Sequence, residues 1–310
     1  MMHGFVLAQM SIAVLDLIMK AAAAMPLLTA LGLVFGRRGN GIFCLWGCSR
    51  LGVLSMVLSF AGPVCILANY ILQMTALNAH DFFAPFFTKP AMNYSLTLLI
   101  WLIGMACLYF GAKNLNSVLL VASSTQIEKY ELGSIKGAFW PLILASGLFF
   151  ITFITNHWPF GGFPAELPHQ RVIMAVLRNA ARGYFMAFAP AGAFACAYAG
   201  WYATRIPVAD YGVLQAATRW CAFWAFVGYL PYCLQNMGIL LGAGARANAF
   251  DNPELGLYFQ ILALALLFAG VACFALILFR KKTSANLAYA GLFLFFCAQV
   301  APRAMLILNR

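Results

Sequence analysis

Asp16 and Lys20 stand four residues apart inside an apolar run from Phe5 to Phe35, and Arg178 and Arg182 repeat that spacing near the start of another run. In a chain that is 64% hydrophobic and only 9% charged, ionisable groups so placed are exceptional. Unless paired or hydrated, each costs a few kcal/mol in a membrane, so these positions mark a bundle interior, a pocket or a partner surface. At their spacing Asp16 and Lys20 share a helix face and can pair locally. Two readings stay open for them: an ion pair bridging spans inside the bundle, or a buried polar site on a proton or cation route. No acidic group continues such a route, because Glu128, Glu131, Glu166 and Glu254 all fall in polar connections.

Arg171, Arg178 and Arg182 form one stripe at the head of the fifth apolar run. Long Arg side chains snorkel readily to head groups, which suits Arg171. Arg182 lies deeper in the run, and a cationic wall for a lipid phosphate, a haem propionate or a partner carboxylate is the competing reading. Arg219 joins Arg178 and Arg182 as a candidate contact for an anionic group or a quinone. His80 with Asp81, and His157 with Trp158, close the second and fourth runs and form a second set of candidates at one membrane face. Two histidines from different helices could hold a haem b; as interfacial residues they would only hydrogen-bond. The nine cysteines make no CxxC pair and no Cys/His cluster, and most, such as Cys65, Cys107, Cys221 and Cys273, sit inside apolar runs as small hydrophobes. Cys44 and Cys48 lie near the face expected to be cytoplasmic, where disulfides rarely persist. No Walker motif, GxSxG or HExxH is present, so nothing points to a nucleotide enzyme or hydrolase.

The elements that must carry these residues follow from eight apolar runs, at 5–35, 51–77, 92–112, 137–156, 172–203, 213–241, 257–280 and 285–308. Each supplies the ~20 residues that a helix needs to cross hydrocarbon. A barrel would instead show alternating segments of about ten residues. The expected architecture is an all-α polytopic membrane protein, residues 1–310 forming a single transmembrane domain of about eight helices in two four-helix sets. The first run is too long for the apolar core of a cleaved leader and has no basic cluster before it, so the first span is expected to stay in the mature protein. The longest polar connection, around Ser123–Lys136, is too short for a soluble domain, and its Ser123–Glu131 part reads as an amphipathic helix along the membrane.

The net charge of +11 would suggest nucleic acid in a soluble protein, but its distribution argues otherwise. Arg37, Arg38, Arg50, Lys113, Lys129, Lys136, Arg205, Arg280, Lys281 and Lys282 fall in the odd-numbered connections, against Lys89, Arg171 and Arg246 in the even ones. The positive-inside rule then puts the odd connections in the cytoplasm and both termini outside, in a bacterial inner membrane. In the fifth run after Arg182, Ala187, Ala189, Ala191, Gly192, Ala193, Ala195, Ala197, Ala199 and Gly200 offer a surface of small residues that favours close helix packing.

Several local pieces together resemble subunit I of the cytochrome bd quinol oxidases. They are Met25-Pro26-Leu27, His80-Asp81-Phe82-Phe83-Ala84-Pro85, Asn156-His157-Trp158, Gly183-Tyr184, Trp201-Tyr202 and Ala217-Thr218-Arg219. They are spread over most of the chain, and the inferred topology is that family's. The departures are consistent in kind: the places of the family's haem ligands hold Ala21, Arg178 and Leu262, and those of its acidic residues in the third span hold Lys89 and Thr97. The long quinol loop is reduced to the short piece around Arg246–Glu254. The resemblance therefore implies a haem-free relative that cannot itself reduce oxygen. Such a subunit would anchor cytochrome or iron–sulfur partners at the outer face, would ligate no metal, and could contribute a quinone pocket. A secondary transporter with Asp16 and Lys20 in its path is the alternative class, with Pro26 and Pro190 as candidate helix breaks. A haem-b subunit using His80 or His157 is the third.

Overall fold

In the computed structural model the described residues are 2–36, 41–76, 89–124, 132–158, 168–203, 211–246, 253–280 and 284–308. All secondary structure among them is helical: α1 (Met2–Gly36), α2 (Gly41–Ser59), α3 (Ala61–Ala76), α4 (Lys89–Ser124), α5 (Leu132–His157), α6 (His169–Met186), α7 (Phe188–Ala203), α8 (Tyr211–Arg246), α9 (Pro253–Phe279) and α10 (Ala285–Leu308). Among the described residues five stretches are long and apolar enough to cross a membrane: Val14–Phe35, Gly47–Ala68, Asn93–Val118, Ile135–Thr155 and Leu257–Phe279. They correspond to the first, second, third, fourth and seventh predicted runs. The other three runs are helical as well. The fifth is divided between α6 and α7, the sixth lies within the mixed-polarity α8, and the eighth forms α10, apolar over Ala285–Val300.

Two of the runs are interrupted by a single residue, Phe60 between α2 and α3 and Ala187 between α6 and α7. A proline follows each break by three residues, Pro63 and Pro190. Proline has no N–H for the carbonyl four residues back and its ring crowds that carbonyl, so the helix is disrupted there. In an apolar setting the freed carbonyl needs a new donor. The Ser59 carbonyl, four residues before Pro63, accepts from the Trp101 indole N–H at 3.0 Å. The Gly137 carbonyl, four before Pro141 inside α5, accepts from the Asn114 amide at 2.7 Å. Side chains of α4 thus replace backbone donors that two neighbouring helices lack.

The chain forms two compact units, one of Met1–Leu17 with Met186–Arg310 and the other of Ile18–Phe185. In the second of these, α4 packs on α2, α3 and α5. Trp101 is fully buried, its ring 4.3 Å from that of Phe149. Gly62 has to be glycine at this contact, since a Cβ would overlap the Trp101 ring. Ser49 hydrogen-bonds Asn116 between α2 and α4, and the Thr97 and Thr155 hydroxyls meet at 2.8 Å between α4 and α5.

In the other unit α7 packs on α8, α8 on α9, α9 on α10 and α10 on α7, a closed four-helix ring. The α7–α8 contact is backbone to backbone. A Cβ on Gly192 would overlap the Ala225 backbone, and one on Gly228 would overlap that of Ala189. The small residues anticipated in the fifth run serve this close approach. Tyr229 is fully buried between α9 and α10, donating to the Gly291 carbonyl at 3.2 Å and packing 4.6 Å from the Phe295 ring. By contrast Tyr258, Phe268 and Phe279 of α9 are exposed. An apolar core with an apolar exterior suits a membrane location.

Candidate functional site

Helix α6 differs from every other element in separating its residue types by face. Val176, Ala180 and Tyr184, spaced by four, are buried. Tyr184 is held on α5: its hydroxyl meets that of Ser146 at 2.5 Å and its ring packs edge-on against Phe150 and Phe153, at 5.3 and 5.7 Å. The same hydroxyl donates to the Ala23 carbonyl of α1 at 3.4 Å. Gly183 lies against Phe153, where a Cβ would come within 3.1 Å of the ring.

Arg171, Arg178 and Arg182 are all exposed. At about 100° per residue, steps of seven and four place them within about 40° of one another, opposite the buried stripe. Met174, Leu177 and Phe185 are exposed on one flank of the basic row. The face can therefore offer three guanidinium groups to an anion beside an apolar strip. Fork-shaped donors of this kind suit phosphate and carboxylate oxygens.

The remaining candidates are placed separately. Asp16 and Lys20 are one turn apart on α1, both half-buried, and neither lacks an interaction partner. Arg219 lies on α8 and donates through Nη2 to the Arg280 carbonyl at 2.9 Å. That contact caps the end of α9, a structural use of the cation; the Arg219 Nε is buried with no hydrogen bond. His80 and Asp81 lie outside the described residues, as do 37–40, 125–131 and 247–252. His157 is the last residue of α5, and only its backbone is described. Trp158 follows, half-buried, with its backbone N–H donating to the Thr155 carbonyl at 3.3 Å. Among the described residues no group of three or more His, Cys, Asp or Glu could hold a metal ion.

Of the places matched to the family's haem ligands and acidic groups, Ala21 is fully buried within the run Ala21–Met25, Arg178 is exposed, Leu262 is 48% exposed, and Thr97 is buried against Thr155. The side chain of Lys89, which begins α4, lies outside the described residues. The contacts of Tyr184 with Ser146 and of Trp101 with the Ser59 carbonyl escaped sequence reading. The only local signals were a proline four residues after the accepting carbonyl and a Gly-Tyr pair. No family model matches the chain, and neither does any curated protein or solved structure.

Proposed function

We propose that this chain is an eight-span subunit of a bacterial electron-transfer complex, a haem-free relative of cytochrome bd subunit I with both termini outside the inner membrane. The observation that carries the reading is the chemistry at the three places matched to the family's haem ligands. Ala21 has no ligating atom and its surroundings are filled, Arg178 offers a cation where a neutral imidazole would be required, and Leu262 is an exposed aliphatic side chain. On this reading the subunit organises partners that carry the redox groups, cytochrome or iron–sulfur proteins at the outer face. A quinone, if the complex uses one, would be held jointly with those partners. Purification of the native complex in mild detergent, with mass spectrometry of what co-purifies and a visible spectrum, tests it. Expected are haem- or cluster-bearing partners, and no Soret band from this chain once they are removed. A b-type spectrum retained by the isolated chain and lost in His157→Ala would replace this reading with the haem-b one.

The two interrupted helices favour a transporter as the second reading, since discontinuous helices line many substrate sites. At Phe60, however, the backbone acceptor exposed by the break is already taken by Trp101. Uptake of a solute by vesicles holding the purified chain alone, lost in Asp16→Leu, would decide for transport.

A further inference from the structure

The last turn of α6 is seated on α5: Gly183 packs on Phe153, and Tyr184 contacts Phe153, Phe150 and Ser146. These contacts hold the last turn of α6 and leave its basic row on the outward face. Four residues separate Phe153 from His157, the last residue of α5, which leaves roughly 6 Å of helix beyond the contact. Twelve residues separate Gly183 from Arg171, roughly 18 Å along α6. The row from Arg171 therefore begins well away from the α5 contact, and Arg182, beside that contact, has the reach of a snorkelling guanidinium. Trp158, just past α5, is the kind of residue that marks a membrane–water interface. A helix that exposes a basic row with an apolar flank, and that follows such a residue in the chain, belongs at the membrane surface.

Resting on the membrane reading of the chain, we propose that α6 is an interfacial anchor whose Arg171, Arg178 and Arg182 hold the phosphates of anionic phospholipids. Two features select a lipid over an acidic protein. Met174 and Leu177, exposed beside the basic row, offer apolar surface to a neighbour as the arginines offer charge to an anion. A bilayer surface presents phosphate and hydrocarbon a few ångströms apart, matching a helix that is basic on one line and apolar on the next.

The test transfers the purified full-length chain from phosphatidylcholine bilayers containing a minor fraction of phosphatidylglycerol into detergent, and measures retained lipid by mass spectrometry. Wild type should retain phosphatidylglycerol in excess of its bilayer fraction. Replacing the three arginines together (R171Q, R178Q and R182Q) should weaken that preference by roughly a hundredfold, from a contribution of about tenfold or less for each cation. The corresponding triple lysine replacement should keep most of it. Should the glutamine variant fail to fold, the wild type still decides the matter, because its preference must fall steeply as salt rises past the screening range. An undiminished preference in the folded glutamine variant, or in high salt, overturns the lipid assignment. Loss of a co-purifying acidic protein with lipid retention unchanged overturns it in favour of a protein partner. Release of the wild-type chain by alkaline carbonate would instead overturn the membrane reading beneath it.

Discussion

Trp101 shows how much one side chain does in an apolar interior. Its indole N–H satisfies the Ser59 carbonyl and its ring fills the space left by Gly62 and faces Phe149. Trp101→Phe keeps most of the ring but leaves the carbonyl without its donor, and should cost about 1–3 kcal/mol. Thr97→Val removes the hydroxyl pair with Thr155, a side-chain bond between helices worth nearer ~0.6 kcal/mol in membranes. Unfolding of both variants in the same detergent should therefore rank Trp101→Phe well below Thr97→Val. Equal stabilities would show that the Ser59 carbonyl finds another donor. The arginines differ among themselves in the same way: Arg219 closes the end of α9, whereas Arg178 and Arg182 are exposed on α6.

Among the elements, the breaks at Phe60 and Ala187 and the tight α7–α8 contact are two uses of residues that weaken isolated helices. At the first break, Pro63→Ala supplies an N–H that competes for the Ser59 carbonyl. The cost of Trp101→Phe should then be smaller in a Pro63→Ala background, and a double-mutant cycle by chemical denaturation would measure the coupling. Strict additivity would separate the proline from the tryptophan. At the α7–α8 contact, Gly192→Leu or Gly228→Leu places a side chain against backbone that cannot yield, and should cost about 1–3 kcal/mol or more. Gly147→Ala, where the space is open, should be neutral or stabilising by up to about 1 kcal/mol. A thermal shift for Gly192→Leu no larger than for Gly147→Ala would contradict the close approach of α7 and α8.

For the whole molecule, the proposed topology makes a sharp prediction from the distribution of basic residues. Reporter fusions after Arg38 and Lys282 should read as cytoplasmic, and fusions after Glu166 and Asn252 as external. The reverse pattern would remove the outer-face docking argument. Much of the architecture was legible from the apolar runs, because helices in hydrocarbon must satisfy their own backbone and therefore declare themselves by length and composition. The five stretches apolar enough to cross a membrane and the small residues of α7 were readable in that way. The division of the fifth run was less so: its apolar length suggested one span, whereas Pro190 and the two-faced character of α6 separate it into α6 and α7. Sequence spacing alone placed Arg171, Arg178 and Arg182 on one line, but not on which side of the helix that line would lie. That was decided by Tyr184, whose contacts with Ser146, Phe150 and Phe153 turn the opposite face outward. Likewise a proline announces which carbonyl loses its donor, while the replacement, Trp101 for Ser59 and Asn114 for Gly137, comes from residues 42 and 23 positions away. Residue types and their periodicity determine which groups are costly to bury; only the packing of distant helices decides what satisfies them.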